Sequence, residues 1–267
     1  MITSKLFGGL GNQLFQIAAG YSLSRILNTK FVINFSENSS YLSEKIKMMR
    51  LNNDHTLHHF TKYKETIFKK INTTSFEKFT DYYQKSFCYN EICKKDNIRL
   101  IGYFQSEKFF EKHREEVKNL FEFPRKMKKI IECKLQKFKK KKLGVHIRCY
   151  KNNHAILPEM PNVYFKLALE KFNINEYDLI VISDDHDKAM KKLNENKINL
   201  LENNNELEDL YALSQCDSVI MSNSTFSWWG AWLGKKKENV IVPPVWFGNA
   251  GPQDTQDLIP NQWKILE

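Results

Sequence analysis

The sequence predicts an α/β protein built from parallel sheets that are covered by helices on both faces. Short apolar runs typical of buried strands alternate along the chain with segments in which apolar residues recur at helical spacing. Residues 179–182 and 240–242 give strong strand patterns, and residues 11–27 and 206–215 give helical ones. The chain has 267 residues, of which 42% are hydrophobic, and this size favours two similar lobes.

The predicted elements follow one another in this order: strand 2–7, helix 11–27, strand 31–35, strand 99–104, helix 107–120, strand 144–148, helix 161–172, strand 179–182, helix 187–194, helix 206–215, strand 218–221, helix 228–233 and strand 240–242. Residues 36–98 are polar, rich in Lys and Asn, and give no clear pattern. A boundary at Pro124 gives an N-terminal lobe at 1–124, a basic connecting segment at 125–142 and a C-terminal lobe at 143–267.

A glycine-rich turn follows the first predicted strand. Gly8, Gly9 and Gly11 let the backbone turn tightly and approach a ligand or another element. The pattern is neither G-x-G-x-x-G nor a P-loop with its lysine, so it does not indicate a dinucleotide site. On its own, such a turn is more typical of a structural connection between a strand and a helix.

The strand predicted at 144–148 carries polar side chains on one face. Apolar residues alternate with Gly144, His146 and Arg148, so His146 and Arg148 point to the same side. An arginine at a strand end suits a diphosphate, because its guanidinium contacts two oxygens and stays charged. The alternative is an ion pair between Arg148 and a structural carboxylate.

Residues 222–232 place small hydroxyl and amide side chains between a strand and a helix. That position collects free backbone N–H groups and the positive end of the helix dipole, which together favour an anion such as phosphate. The alternative is a helix N-cap at Ser224 or Thr225, followed by three core tryptophans. The residues expected at the anion site are Ser222, Asn223, Ser224 and Thr225.

Taken together, these segments resemble the alpha-1,2-fucosyltransferase family. The matching motifs, in the family's order and over nearly the whole chain, are GGLGNQLFQ at 8–16, GYFQ at 102–105, His-x-Arg at 146–148 and SNSTFSWW at 222–229. The family's central motif, HxRRGDY, is altered here. Cys149, Tyr150 and Lys151 stand where the family has the second Arg, the Gly and the Asp.

The resemblance implies an inverting glycosyltransferase of the GT-B type, with two Rossmann-like lobes facing a cleft. Such an enzyme moves L-fucose from GDP-fucose to a galactoside hydroxyl in α-1,2 linkage, in lipopolysaccharide or capsule synthesis. The altered central motif leaves two alternatives open. One is the same fold with another GDP-sugar as donor, and the other is a non-catalytic binder of GDP-sugars.

The strands of the C-terminal lobe are expected to bring three polar groups together at their carboxyl ends. Arg148 and the turn at 222–225 would hold the diphosphate, and Asp184 or Asp185 would accept hydrogen bonds from ribose or guanine. The alternative for this pair is an N-cap of the next helix, with Asp185 or Asp187 as the capping residue. The glycine turn at 8–13, with Gly9, Gly11, Asn12 and Gln13, and the segment at 102–105 would face the sugar and the acceptor.

A general base is needed to take the proton of the acceptor hydroxyl. The family's Asp is missing, and the sequence does not choose among His146, His154 and Glu159. GDP-fucose enters as a substrate, and no cofactor is expected. No D-x-D pattern is present, so we expect Arg148 to take the place of a divalent metal at the diphosphate. The five scattered cysteines give no C-x-x-C pair and no disulfide framework.

The net charge of +10 is concentrated in the basic segment that begins at Arg125 and ends at Lys142. This pattern is typical of a solvated helix, and the alternative is a surface that rests on anionic lipid. Nucleic acid is not an expected partner, because no nucleic-acid module is present. No apolar run has the length of a membrane span and no signal peptide is evident, so we expect a cytoplasmic enzyme. Peripheral contact at the inner membrane face is the alternative that the basic segment leaves open.

Overall fold

The computed structural model describes residues 1–34, 58–75, 78–150, 155–193, 198–235 and 237–267. The chain divides into two compact units. The first contains residues 1–124 and 254–260, and the second contains residues 125–253 and 261–267.

The first unit contains two small parallel sheets and the helices around them. Strands β1, β5 and β4 form one sheet in the order β1-β5-β4, and β2 pairs with β3. Because β1 and β5 are parallel neighbours, the residues that follow them meet at one edge of the sheet. The elements are β1 (Ile2–Ser4), α1 (Leu10–Ile26), β2 (Val32–Asn34), α2 (His58–Lys62), β3 (Asn72–Thr74), β4 (Thr80–Tyr83), β5 (Ile98–Ile101) and α3 (Arg114–Leu120).

The second unit is a six-stranded parallel sheet with the order β11-β10-β9-β6-β7-β8. The chain builds one half outward from β6 and then returns to build the other half from β9, which is the strand order of a Rossmann fold. The elements are α4 (Arg125–Gln136), β6 (Lys141–Ile147), α5 (Asn162–Leu169), β7 (Tyr177–Ser183), α6 (His186–Leu193), β8 (Ile198–Leu200), α7 (Glu206–Gln215), β9 (Ser218–Ile220), α8 (Thr225–Leu233), β10 (Val240–Val242) and β11 (Lys264–Ile265).

Helix α7 packs closely against the centre of this sheet. A Cβ at Gly144, in β6, would lie 2.7 Å from Leu213 and 2.9 Å from the Cys216 sulfur. Gly230, in α8, also packs directly against Leu213. Glycines at these two positions therefore let α7 approach both β6 and α8.

The sequence-based domain prediction differs from the structure in two respects. The basic segment at 125–142 belongs to the second unit, where it forms α4 and the first residues of β6. Residues 254–260 belong to the first unit. Their Asp254 carboxylate accepts hydrogen bonds from the N–H groups of Phe87 and Cys88, at 2.9 and 3.3 Å. Such long-range contacts leave no local pattern in the sequence.

Several predicted element boundaries were also wrong. The predicted helix at 107–120 is interrupted, because Glu107–Phe109 and Glu111–His113 form 3₁₀ turns before α3 begins. The last helix begins at Thr225 rather than Trp228. Strands β3, β4, β8 and β11 and helix α2 were not predicted. Within the part of the chain that the structure describes, no helix combines the length and the apolar character that crossing a membrane requires.

Gly234, at the end of α8, packs against the backbone of α7. A Cβ there would collide with the carbonyl oxygen of Ser214, whereas a Cβ at Gly9 would meet no atom within 4 Å. We expect Gly234→Ala to lower the free energy of unfolding by about 1–3 kcal/mol relative to Gly9→Ala, through overpacking. Both changes restrict the unfolded chain in the same way, and Gly9→Ala also places a poorer N-cap residue before α1, so any lower stability of Gly234→Ala in urea unfolding reports overpacking beyond that capping cost. Equal stability of the two variants would contradict it.

Candidate functional site

The centre of the second unit brings distant motifs together. β6 and β9 are parallel neighbours in the register Leu143↔Ser218, Gly144↔Val219 and Val145↔Ile220. The strand order reverses between them, and ligands of such sheets bind outside the carboxyl ends of the strands at this point. The residues after β6 and after β9 therefore form the candidate site.

Ser222 ties these two strand ends together. Its hydroxyl donates to the carbonyl oxygen of His146 at 2.8 Å and accepts a hydrogen bond from the N–H of Arg148 at 2.9 Å. Ser222 is fully buried. It satisfies backbone groups where the ladder between β6 and β9 ends, so its function in this structure is to hold Arg148 in place.

His146 is a buried structural group in this arrangement. Its Nδ1 is hydrogen-bonded to the hydroxyl of Ser227, and its ring lies 5.0 Å from that of Phe226. Burial, together with the nearby positive charge of Arg148, lowers the pKa of His146 to about 3. The imidazole is therefore neutral at physiological pH, and only 4% of the residue is exposed. These features argue against His146 as the group that meets the acceptor.

Arg148 differs from His146 because its side chain is 44% exposed. Its Nη1 lies 2.9 Å from Oδ2 of Asp184, and its guanidinium carbon lies 5.6 Å from the centre of the Tyr150 ring. The other oxygen of Asp184 accepts the N–H of Cys149 at 2.8 Å. The predicted alternative of a carboxylate partner is thus present. An exposed ion pair contributes little stability, so an anionic ligand can replace Asp184 at small cost.

Asp185 caps the following helix. Its Oδ1 accepts the N–H of Lys188 at 3.1 Å, in the first turn of α6. Its own N–H donates to the hydroxyl of Ser183 at 3.1 Å. This is the capping role that the sequence offered as the alternative to nucleotide binding. Both Asp184 and Asp185 have protein partners in this structure.

Side chains of the turn before α8 hold it in place through hydrogen bonds to backbone groups. The Asn223 amide nitrogen donates to the carbonyl oxygens of Pro158 and Trp246, at 2.8 and 3.0 Å. Ser224 is the N-cap of α8, and its hydroxyl accepts the N–H of Phe226 at 3.3 Å. Thr225 is the first residue of the helix. As the alternative interpretation required, Ser224 caps the helix, and the three tryptophans, Trp228, Trp229 and Trp232, are buried.

Two candidates for the general base remain, Glu159 and His154, and the structure describes only Glu159. Glu159 pairs with Lys192 at 2.9 Å, and the same lysine donates to the carbonyl oxygen of Met160 at 2.8 Å. The Glu159 side chain is 24% exposed. His154 lies outside the described residues.

In the first unit, the glycine turn meets the motif at 102–105. The Gln105 amide nitrogen donates to Oδ1 of Asn12 at 2.9 Å. The side-chain oxygen Oε1 of Gln84 accepts hydrogen bonds from the N–H groups of Tyr103 and Phe104, both at 2.9 Å, and supports Phe104 at its positive φ of 51°. Asn12 and Gln105 therefore lie together although 93 positions separate them.

Gln13 has a structural role. Its side-chain oxygen Oε1 accepts a hydrogen bond from the N–H of Phe60 at 3.1 Å, and its side-chain nitrogen donates to the backbone carbonyl oxygen of Gly8 at 3.2 Å. Gln13 is fully buried. The structure thus does not support the expectation that Gln13 faces the sugar, because both ends of its amide hold the backbone.

The two glycines before α1 serve different purposes. Gly8 has a φ of 75°, which favours glycine. Gly9 has φ −70° and ψ 174°, which any residue adopts, and a Cβ there would meet no atom within 4 Å. Gly9 is also the N-cap of α1 without a side-chain cap. The fold does not require a glycine at position 9. A ligand that approaches the N-terminus of α1 would require one, because a side chain there would be in its way. Gly11 is the second residue of α1 and is buried.

Sequence reasoning missed Tyr150 as a part of the site in the second unit. Tyr150 carried no signal, because it stands at an altered position of the central motif. Gln105 was included only through its motif, and its contact with Asn12 depends on the pairing of β1 with β5. Within the described ranges, no three His, Cys, Asp or Glu side chains are arranged to hold a metal ion.

Comparison with known proteins identifies relatives over the whole length of the chain. It is 26% identical to an Alpha-1,2-colitosyltransferase of Escherichia coli, covering 100% of this chain and 99% of that protein. It is 27% identical to the O-antigen biosynthesis glycosyltransferase WbnK of Escherichia coli, covering 95% and 98%.

A solved structure supports the fold. The fucosyltransferase NodZ from Bradyrhizobium superposes with a TM-score of 0.53 at 11% identity, over 87% of this chain and 92% of that chain. The predicted α/β class of GT-B type is confirmed. The family model described as Glycosyl transferase family 11 matches residues 1–267. The chain is therefore a glycosyltransferase that belongs to glycosyl transferase family 11.

Proposed function

We propose that this glycosyltransferase moves L-fucose from GDP-fucose to a galactoside hydroxyl in α-1,2 linkage, with inversion, in the synthesis of an O-antigen or a related surface glycan. The names of the two curated relatives support the linkage and the process. The observation that carries the proposal is Arg148. It is a half-exposed arginine at the switch point of a Rossmann-like sheet, and its ion-pair partner is a surface carboxylate.

In the proposed reaction, negative charge develops on the leaving diphosphate, next to Arg148. The acceptor oxygen forms a bond to the anomeric carbon, the bond from that carbon to the phosphate oxygen breaks, and the diphosphate leaves with the electron pair. Negative charge therefore grows on the diphosphate in the transition state. A fixed guanidinium and the N–H groups at the start of α8 stabilise the transition state, which carries that charge, more than they stabilise the ground state.

The acceptor proton needs a base at the other side of the anomeric carbon. We favour Glu159 or His154 over His146. The pKa of His146 is low and its Nδ1 is engaged by Ser227, so it is a poor proton acceptor in its buried position. Glu159 has a partly exposed carboxylate whose partner is Lys192.

A different GDP-sugar donor is the second candidate function. The name of the α-1,2-colitosyltransferase relative favours it, and so do the altered residues Cys149 and Tyr150 next to Arg148. Release of GDP from a set of GDP-sugars, measured with a set of galactosides, separates the two donors. GDP binding without release from any donor would instead indicate the non-catalytic binder.

Peripheral contact with anionic lipid is a further part of the proposal. Helix α4 buries Met127, Ile131 and Leu135 and exposes Lys126 and Lys129 on its other side. Part of the basic segment has protein partners, since Lys134 contacts Asn204 and Lys141 pairs with Glu238. The remaining exposed cations would each add about 1 kcal/mol near an anionic surface.

The first functional prediction concerns Arg148. Arg148→Lys keeps the charge but loses the two-pronged contact, so turnover should fall at least about tenfold. Arg148→Ala should lose about 2–4 kcal/mol of transition-state stabilisation. The matched control is Arg25→Ala, which breaks a similarly exposed pair with Glu116 in the first unit. Steady-state kinetics of folded variants measure the effect, and unchanged turnover in Arg148→Ala would exclude this role.

The second functional prediction is that turnover requires no divalent metal. Arg148 and the helix N-terminus supply the positive field that a metal would otherwise provide at the diphosphate. Activity should persist in excess chelator after extensive dialysis. A loss of activity that magnesium or manganese restores would overturn this part of the proposal.

The third functional prediction concerns Gly9. Gly9→Ser adds an N-cap side chain to α1, so the free energy of unfolding should stay the same or rise by a few tenths of a kcal/mol. The added atoms occupy the open space at the helix N-terminus, so transfer should fall at least about tenfold. GDP affinity, measured by calorimetry, should be retained, because we assign the nucleotide to the second unit. Full transfer activity in Gly9→Ser would show that no substrate approaches this turn.

A further inference from the structure

Tyr150 links the end of β6 to the turn before α8. It stands two residues after Arg148, and its hydroxyl donates to the carbonyl oxygen of Asn223 at 3.1 Å. Its ring lies beneath the guanidinium of Arg148, with 5.6 Å between the guanidinium carbon and the ring centre. One side chain thus contacts both parts of the candidate diphosphate site.

The hydroxyl of Tyr150 is hydrogen-bonded to Asn223, a residue that is itself held in place by its neighbours. Asn223 is 1% exposed, and its amide nitrogen donates to two backbone carbonyl oxygens, those of Pro158 and Trp246. Burial raises the pKa of Tyr150 to about 12, so the hydroxyl remains a donor at physiological pH. The ring of Tyr150 therefore has a defined position under Arg148.

The two contacts of the Arg148 guanidinium have different electrostatic effects. Asp184 orients it but also neutralises part of its charge, and an incoming diphosphate competes with Asp184 for the same N–H groups. The Tyr150 ring carries no net charge, so it restricts the guanidinium without weakening its attraction for an anion. When the ligand displaces Asp184, the ring contact can persist.

We propose that Tyr150 is a positioning residue for the diphosphate, and that it acts by holding the guanidinium of Arg148 in a plane suited to two phosphate oxygens. The proposal rests on the proposed function, since it assumes a diphosphate at Arg148. It gives a role to a residue at which the central motif departs from the family pattern.

The test is a comparison of GDP and guanosine binding by calorimetry. Tyr150→Leu removes the aromatic face, and it should weaken GDP binding about three- to fivefold, the usual range for an exposed cation–π contact. Guanosine binding should not change, because guanosine has no diphosphate. In an Arg148→Met background, Tyr150→Leu should have no additional effect on GDP binding.

Two further variants complete the design. Tyr150→Phe keeps the ring and loses the bond to Asn223, so its loss should be smaller than that of Tyr150→Leu. Tyr211→Leu is the matched control, because the Tyr211 hydroxyl contacts Glu132 on α4 at 2.6 Å rather than the site. Tyr150→Met, whose flexible side chain fills irregular space, replaces Tyr150→Leu if that variant does not fold.

The outcomes separate this inference from the function on which it rests. An equal loss for GDP and guanosine, or an undiminished loss in the Arg148→Met background, would overturn the positioning role and leave Tyr150 as a packing residue. Normal GDP binding by Tyr150→Leu would overturn it too, while the proposed function would stand. Wild-type protein that fails to bind GDP would overturn both.

Discussion

The parallel pairing of β6 with β9 is the constraint on which the candidate site depends. It brings Arg148 and Ser222 together across 74 positions of sequence, and it places the N-terminus of α8 beside the end of β6. Helix α7 packs against this part of the sheet, and Gly144 and Gly230 leave room for its Leu213. A substitution at either glycine would therefore act on the site through the sheet, although neither residue contacts it.

Burial decides the different roles of His146, near the end of β6, and Arg148, which follows that strand. His146 lies within the sheet, where desolvation removes its charge and Ser227 occupies its Nδ1. Arg148 lies one step beyond the strand end, where solvent keeps its partner Asp184 exchangeable. The same alternation that predicted a shared face from the sequence thus gives one structural residue and one residue available to an anion.

Features with a local pattern were predictable from the sequence, and features that depend on long-range contacts were not. Alternation predicted β6, and the turn residues offered a cap at Ser224 or Thr225 and a cap at Asp185 as alternatives to ligand binding. The hydrogen bond from Tyr150 to Asn223 and the partner of Asp184 join residues from different strand ends, so no spacing reveals them. The same holds for residues 254–260, whose place in the first unit depends on Asp254 and the backbone it binds.

Residues that the fold does not explain are the strongest guide to function in the first unit. Gly8 is explained by its positive φ, and Gln13 by the backbone groups that it holds. Gly9 has neither explanation, because its backbone suits any residue and its surroundings are open. The neighbouring Gln105 has a carbonyl oxygen that is buried and accepts no hydrogen bond from the described residues. The buried Gln105 oxygen costs stability in the free protein as long as it has no donor, and a hydrogen bond from a polar substrate would offset that cost.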